Sequence, residues 1–279
     1  MKTICLFTVL FFCCFLQLYA QQHPLIGTWE FVSGKGTDAE GKAISFDNSM
    51  MRETKIFSPT HFIYILLNVK GDSLVFNRSF AGTWKVEGNK YIETPTMGSQ
   101  EGFDKVKTDF TWRIEGDKFI RQGTITGANG QKMTIDALVF EKVKEDKSTI
   151  NPYVGTWNQL SSSFIGADGT KGSITNATHR RFQIISPTHW MRISYKDNQY
   201  ENAMGGAYTM EGNKAYPKIE WASFPINTAE KLEVTQKVVG DKMYMSGVWM
   251  DTNGKKLRNF EDVFQKVSGK PKITKTAAK

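Results

Sequence analysis

The sequence LIGTWE at residues 25–30 returns as YVGTWN at residues 153–158. The stretch FSPTHF at residues 57–62 returns at the same offset as ISPTHW at residues 185–190. Three further matches follow in the same order: EGNK at 87–90 and 211–214, GDK at 116–118 and 240–242, and NGQK at 129–132 with NGKK at 253–256. Five collinear matches indicate that the chain contains two copies of one unit.

The spacing of these matches indicates two domains of similar length. The offset between the copies is 128 residues for the first two matches and 124 for the last three, so the second copy lacks about four residues between them. Each unit has about 115 residues, a common size for one domain. The predicted boundaries are a signal peptide at 1–20, a first domain at 24–144, a polar linker at 145–152, a second domain at 153–268 and a basic, disordered tail at 269–279.

Residues 1–20 have the pattern of a secretory signal peptide, with the charged Lys2 followed by the apolar run 6–18. We therefore expect a secreted or periplasmic protein with no membrane span after cleavage. All three cysteines fall within this segment, so the mature chain is expected to have neither a disulfide nor a reactive thiol. A lipid anchor is less favoured, because Cys13 and Cys14 lie in the middle of the apolar run.

The composition indicates globular domains rather than a disordered or nucleic-acid-binding chain. Hydrophobic residues make up 40% of the chain and aromatic residues 13%, enough for each unit to bury its own core. Much of the net charge of +8 comes from lysines near the carboxyl terminus. Such a tail is typical of a solubilising end, and we expect no nucleic-acid partner.

Each unit contains eight runs rich in β-branched and aromatic residues, each closed by Gly, Asn, Asp or Pro. They begin at Ile26, Met50, Thr60, Ser79, Lys90, Lys105, Lys118 and Lys132 in the first unit, and at Val154, Ala177, Thr188, Ala203, Lys214, Glu230, Lys242 and Lys255 in the second. An eight-stranded meander avoids unpaired edges by closing on itself. The predicted fold class is therefore all-β, with two tandem eight-stranded antiparallel up-and-down barrels; a two-sheet sandwich is the alternative.

The Gly-x-Trp motif that opens each unit, Gly27 with Trp29 and Gly155 with Trp157, resembles that of the lipocalin and fatty-acid-binding (calycin) superfamily. This resemblance implies lipocalin-like barrels in which the glycine lets the backbone pass closely and the tryptophan plugs the closed end. The chain is also similar to lipocalin-like domains of unknown function in secreted proteins of Bacteroides-type bacteria, whose patterns match Ser58–Phe62, Ala81–Trp84 and Gly88–Lys90.

The chain departs from true lipocalins in its closing strands. It has no carboxy-terminal helix pattern after the eighth run, no disulfide, and no arginine positioned to stack on the tryptophan. Lys142 and Lys266 are the candidates to replace that arginine. These departures weaken the expectation of a classical lipocalin ligand.

The best-marked polar positions are the two histidines that recur in the SPTH stretches. Alternation places His189 on one face with Met191, Ile193 and Tyr195, and this apolar face is expected to point into the barrel, as is His61 in the first copy. The predicted ligand-binding residues are His61, Arg52, Trp84, Trp112, His189, Arg180, Tyr208 and Trp249. Structural alternatives apply to each kind: a buried histidine satisfies a backbone group, an arginine lies on the surface, and an aromatic ring fills the core.

Patterns typical of enzymes are missing from the sequence. It contains no nucleophile elbow and no phosphate-binding loop, and one shared imidazole is too little for a repeated metal site. We expect a non-enzymatic protein without cofactor or metal that binds a small, largely apolar molecule in one or both barrels. The alternative is a surface-interaction module with filled barrels, in which exposed Phe62, Tyr64 and Trp190 contact a protein or glycan.

Overall fold

The computed structural model describes residues 23–145, 151–225, 230–267, 269 and 273–274. It contains two closed antiparallel sheets, one from each copy of the repeat, which confirms the predicted pair of eight-stranded barrels. We call them the first barrel and the second barrel. The predicted signal peptide lies outside the described residues, as do part of the linker and most of the tail. Within the described ranges, no helix is long and apolar enough to cross a membrane.

The meander is the same in both barrels, and the last strand returns to the first. The first barrel contains β1 (Gly27–Thr37), β2 (Ala43–Asp47), β3 (Met51–Phe57), β4 (His61–Lys70), β5 (Ser73–Glu87), β6 (Lys90–Gly98), a 3-10 turn (Phe103–Lys105), β7 (Lys107–Glu115), β8 (Lys118–Thr126) and β9 (Lys132–Lys142). The second contains β10 (Gly155–Gly166), β11 (Lys171–Thr175), β12 (His179–Ile185), β13 (His189–Lys196), β14 (Gln199–Glu211), β15 (Lys214–Pro217), β16 (Trp221–Ala222), β17 (Lys231–Val239), β18 (Lys242–Met250) and β19 (Lys256–Lys266). Pairing of β9 with β1 and of β19 with β10 closes the two sheets. In the tail, β20 (Ile273–Thr274) pairs in parallel with β5.

Each barrel contains a short strand that the sequence patterns did not predict. The first half of β1 pairs with β3, and its second half, from Ser33 to Thr37, pairs with β2. The strands β2 and β3 therefore follow one another along the same edge of β1 and act as one interrupted strand. The same arrangement of β11 and β12 on β10 keeps the second barrel at eight positions around its circumference.

The residues missing from the second copy are lost from one hairpin. The strands β4 and β5 have 10 and 15 residues, whereas β13 and β14 have 8 and 13. Two residues are therefore missing from each strand, next to the turn. Away from the turn, the strands of this hairpin pair in the same register in both copies, with His61 opposite Thr83 and His189 opposite Ala207.

Trp29 and Trp157 occupy equivalent positions, as the repeat predicts. Both are almost fully buried. The indole Nε1 of each donates a hydrogen bond to the carbonyl oxygen four residues earlier, Leu25 at 2.7 Å and Tyr153 at 2.8 Å. A buried indole thus satisfies its only polar group against the chain segment that leads into the first strand.

The residues next to these tryptophans also correspond between the copies. Lys142 Nζ lies 5.5 Å from the centroid of the Trp29 ring, and Lys266 Nζ lies 5.4 Å from that of Trp157, both within cation–π range. The motif glycines have φ values of 124° at Gly27 and 146° at Gly155, a backbone conformation that favours glycine. A glycine, an indole and a lysine therefore lie together at the start of the first strand in each barrel.

A hydrophobic interface joins the outer walls of the two barrels, and we call it the seam. Its buried residues are Ile56, Ile63, Ile65, Leu67, Ala81 and Met97 from the first barrel, and Phe182, Ile184, Met191, Ile193, Tyr195, Ala203 and Trp221 from the second. Two hydroxyl contacts of 2.6 Å cross it, from Thr28 to Ser186 and from Thr156 to Ser58. These are the same two repeat positions with their roles exchanged, so the seam has approximate two-fold symmetry.

The seam reverses the faces that we assigned to the histidine strands. Residues Ile63 and Ile193 of the supposed inner face lie in the seam, and the alternate residues Phe62, Tyr64 and Leu66 pack inside the first barrel. The prediction that His61 and His189 point into their barrels is therefore wrong. Both faces of β4 are apolar because one packs inside the first barrel and the other against the second. In β13 the more apolar face packs in the seam, and the alternate residues Trp190 and Arg192 face the interior of the second barrel.

We expect the substitution Ile193→Ala to lower the free energy of unfolding by about 2–5 kcal/mol, because this fully buried side chain packs in the seam. Val239→Ala is the control on the exposed end of β17 and should change that free energy by less than about 0.5 kcal/mol. Chemical denaturation of the full chain measures both values. An Ile193→Ala variant as stable as the control would contradict a stabilising role for the seam.

Candidate functional site

His61 and His189 occupy equivalent positions in the seam. The Nδ1 atom of each lies close to the hydroxyl of the preceding threonine, at 2.7 Å for His61 and 2.9 Å for His189. The His61 ring contacts Phe182 of the second barrel, with 5.5 Å between ring centroids. Burial lowers the pKa of both histidines, and for His189 this outweighs the opposing charges of Glu220 and Glu30. These contacts make the histidines part of the interface between the barrels.

Arg52 and Arg180 lie exposed on the outside of their barrels, so the prediction that they could face a ligand is wrong. The guanidinium of Arg180 lies 5.2 Å from the centroid of the Tyr195 ring. The next residue along each strand faces inward instead. In the first copy it is Glu53, whose carboxylate lies 3.6 Å from the buried Lys55, and in the second it is Arg181.

Trp84 and Trp112 belong to the core of the first barrel, where the amino-terminal segment covers them. The centroid of the His23 ring lies 5.0 Å from that of Trp84 and 5.4 Å from that of Trp112. Trp84 Nε1 donates a hydrogen bond to the carbonyl oxygen of Ser58 at 2.9 Å. Both rings therefore serve the packing of this barrel.

The interior of the first barrel contains aromatic rings packed around a buried ionic network. Glu93 Oε1 accepts a hydrogen bond from Lys55 Nζ at 2.6 Å and lies 3.5 Å from Arg121 Nη1. The Tyr91 hydroxyl donates to the same oxygen. Aromatic rings surround the guanidinium of Arg121 within 6 Å, namely those of Tyr91, Phe110, Phe119 and Phe140. The first barrel thus buries a carboxylate together with its own cations.

The charges of this network stabilise one another. Burial raises the pKa of the Glu93 carboxyl, but the neighbouring Lys55 and Arg121 more than reverse this, so its net pKa is lowered. Burial also disfavours the charge on Arg121, and Glu93 outweighs that effect and raises the pKa of the guanidinium. Burial and repulsion from Arg121 lower the pKa of Lys55. The ionised carboxylate is therefore the centre that holds the two cations in place.

The interior of the second barrel contains a cavity of about 120 Å³. Tyr208 and Trp249, two of the eight predicted ligand-binding residues, line it. Tyr208 donates its hydroxyl hydrogen to the Ser186 carbonyl at 2.5 Å, and the indole Nε1 of Trp249 donates to Glu230. The remaining wall combines apolar residues, including Trp190, Met204, Val234 and Met245, with the polar residues Ser162, Arg181, Gln183, Arg192, Gln236, Arg258 and Asp262.

The cavity exists because the second copy has smaller side chains at inward positions. Cross-strand pairs give the correspondence directly: Tyr91 opposite Phe110 in the first barrel is replaced by Ala215 opposite Val234 in the second. Phe119 opposite Phe140 is replaced by Met243 opposite Phe264, and Trp84 opposite Glu93 by Tyr208 opposite Pro217. Loss of the rings at two facing positions opens space that the backbone, with its conserved pairing, does not close.

Several polar atoms of the cavity wall lack a partner. Arg192 donates from Nη2 to the thioether sulfur of Met204 at 2.9 Å, a weak acceptor. Within the described ranges no hydrogen-bond partner is found for Nε of Arg181 and Arg192, Oε1 of Gln236 or Oδ1 of Asp262. Buried polar groups in folded proteins are normally paired. Unpaired atoms also occur in the first barrel, among them Arg121 Nε, so what distinguishes this wall is that its unpaired atoms border a cavity.

The charges in this wall are less well compensated than those of the first barrel. Burial lowers the pKa of Arg192 well below its ordinary value, and the nearby charge of Arg181 adds to the effect. Burial raises the pKa of Asp262 despite a hydrogen bond from Ser162 and the two arginines. Among the described residues there is no cluster of three or more His, Cys, Asp or Glu side chains that could hold a metal ion.

Sequence analysis missed the polar residues of the cavity wall, above all Arg181, Arg192 and Asp262. For Arg192 the error came from the face assignment, which put this residue on the outer side of β13; no face was assigned to Arg181 or Asp262. A signal was present in the repeat itself: Arg192 replaces Tyr64, and Asp262 replaces Leu138, at otherwise apolar inward positions. Comparing the two copies position by position would have found these residues without coordinates.

No family model matches this chain, and no curated protein does either. Among solved structures, the chain is similar to a protein of unknown function from the DUF3598 family of Nostoc punctiforme, with 11% identity and a TM-score of 0.26. That similarity covers 88% of this chain and 97% of the other. A TM-score this low carries no argument about function.

We expect Glu93→Gln to lower the free energy of unfolding by about 3–5 kcal/mol, because it leaves Lys55 and Arg121 buried without their shared carboxylate. Glu115→Gln is the matched control. It breaks a pair of the same length, 2.6 Å, between Glu115 and Arg113 on the exposed surface, and should cost at most about 1 kcal/mol. Urea denaturation compares the two variants, and equal losses would contradict the buried network.

We also expect the seam to weaken in acid. Because the folded-state pKa of His61 and His189 lies below the ordinary value of 6.5, the unfolded chain binds more protons as the pH falls past 6.5. Their contribution is complete above pH 6.5 and is lost as the pH decreases through the window below it. Unfolding measured from pH 8 to pH 5 should show a steeper loss for the wild type than for the double variant His61→Gln, His189→Gln. Parallel pH profiles would rule out this source of acid sensitivity.

Proposed function

We propose that this protein is an exported, non-enzymatic binding protein whose second barrel holds a small, largely apolar ligand. The observation that carries the proposal is the cavity of about 120 Å³ among the inward side chains of that barrel. Its wall has the composition of a small-molecule site, mostly apolar with a few converging polar groups. The signal-like residues 1–20 support export, and the lipocalin-like Gly-x-Trp motifs support a binding role.

The comparison of the two barrels supports one binding site per chain. The first barrel fills its interior with aromatic rings and the Lys55–Glu93–Arg121 network. The second barrel has the same strand pairing but carries Ala215 and Val234 where the first carries Tyr91 and Phe110. The proposed division is therefore a first barrel that stabilises the molecule and a second barrel that binds.

The cavity also limits the size of the ligand. A dry cavity of about 150 Å³ in another protein accepts benzene, and the volume in the second barrel is about 120 Å³. The proposed ligand therefore has an apolar part of at most about six heavy atoms. Longer acyl chains would have to extend out of the barrel.

The alternative of a surface-interaction module receives less support. Its aromatic contacts were to come from Phe62, Tyr64 and Trp190, and all three are buried. Phe62 and Tyr64 pack in the core of the first barrel, and Trp190 lines the cavity. Apart from the consecutive Leu74 and Val75, the remaining exposed hydrophobic residues, such as Met50, Ile165 and Val239, are far apart in sequence.

Filling the cavity tests the proposal. We expect Ala215→Phe, which restores a ring at the position of Tyr91, to abolish binding of benzyl alcohol and 1-hexanol measured by titration calorimetry. The control Thr235→Phe adds the same ring at an exposed neighbouring position of β17 and should leave both affinities within twofold of the wild type. An Ala215→Phe variant that binds either probe as tightly as the wild type would refute binding inside the second barrel.

A further inference from the structure

The first barrel shows how this fold accommodates a carboxylate in its interior. Glu93 projects from β6, and its Oε1 atom lies 2.6 Å from Lys55 Nζ and 3.5 Å from Arg121 Nη1. Its side chain is 8% exposed, so the charge is almost fully removed from water. Such a carboxylate persists in a barrel interior only because cations from other strands surround it.

The second barrel keeps interior cations but lacks that carboxylate. The position of Glu93 is occupied by Pro217, which lines the cavity. The position of Lys55 is occupied by the neutral Gln183 in the second barrel. On the adjacent strand, the position of Tyr64 is occupied by the cation Arg192. The charge-bearing guanidinium of Arg192 therefore lines an empty space where the first barrel has its own acid and rings.

The charge of the cavity wall is positive. Three arginines line it, Arg181, Arg192 and Arg258, against one carboxyl group, Asp262. Glu201 acts on Arg181 and Arg192 from an exposed position on β14. Two positive charges of the wall are thus unmatched by a wall carboxylate, and Nε of both Arg181 and Arg192 lacks an acceptor among the residues that the structure describes.

We propose that the ligand of the second barrel is a small monocarboxylate whose carboxyl group binds between Arg181 and Arg192 and whose apolar body fills the space left by the rings of Tyr91 and Phe110. This inference rests on the proposed function and specifies its ligand class. An arginine side chain binds a carboxylate through two parallel hydrogen bonds, which supply the acceptors that these guanidinium groups lack. The ligand takes the place that Glu93 and Tyr91 fill in the first barrel.

The electrostatics of the wall support this assignment. Burial and like-charge repulsion lower the pKa of Arg192, whereas Glu93 raises that of Arg121 in the first barrel. An anion beside Arg192 would raise the pKa of its guanidinium, as Glu93 raises that of Arg121. Asp262 already compensates part of the positive charge, so it should compete with a bound carboxylate rather than assist it.

Matched probes separate the head group from the apolar body. We expect the full-length protein to bind hexanoate at least tenfold more tightly than 1-hexanol, and benzoate at least tenfold more tightly than benzyl alcohol, in titration calorimetry. Hexanol and benzyl alcohol that bind as tightly as the acids would overturn the carboxylate assignment and leave the binding function intact. Binding of none of the four probes would overturn both proposals.

Three variants locate the preference. Arg192→Gln should reduce the preference for hexanoate to within twofold while 1-hexanol binds as before, which also reports that the barrel is folded. Asp262→Asn should strengthen hexanoate binding several-fold without changing 1-hexanol. Arg180→Gln is the control, because this neighbouring arginine lies exposed outside the barrel and should change neither affinity. An unchanged preference in Arg192→Gln, or weaker hexanoate binding in Asp262→Asn, would contradict the proposed position of the carboxylate.

Discussion

The structure depends on closure of each sheet by pairing of its first strand with its last, β1 with β9 and β10 with β19. This pairing completes the backbone hydrogen-bond ladder around the barrel and leaves no long unpaired edge. The ladder uses only main-chain groups, so it does not depend on which side chains fill the interior. That independence lets two barrels with the same pairing differ in their contents: an ionic network with aromatic rings in one, and a cavity in the other.

The two interiors illustrate opposite uses of buried charge. In the first barrel Glu93 compensates Lys55 and Arg121, so the charges add to a fully packed core. The second barrel lacks the facing rings and the carboxylate that the first barrel has, so Arg192 is buried without them. An uncompensated buried charge normally lowers stability. The two barrels share one chain and are joined by the hydrophobic seam.

Much of the fold could be predicted from sequence because the repeat and the turn residues are recognisable in the sequence itself. The repeat predicted two units, and the Gly-Asn and Gly-Asp turns predicted where the hairpins lie. The orientation of the histidine strands could not be predicted, since β4 is apolar on both faces and the more apolar face of β13 packs in the seam rather than inside the barrel. Alternation distinguishes the faces of a strand only when one of them meets water. The seam removes that condition, so the faces of His61 and Arg192 were assigned wrongly. Arg181 was missed because its neighbour Arg180 is the residue that matches Arg52 in the repeat.

The near two-fold symmetry of the seam has a consequence for how the molecule arose. Because Thr28 meets Ser186 while Thr156 meets Ser58, the patch on each barrel is complementary to itself. A lone precursor barrel with this patch would have associated with an identical copy, and joining the two genes would have made that homodimer permanent. From then on each half could mutate without altering its twin, which a symmetric dimer of identical chains never permits.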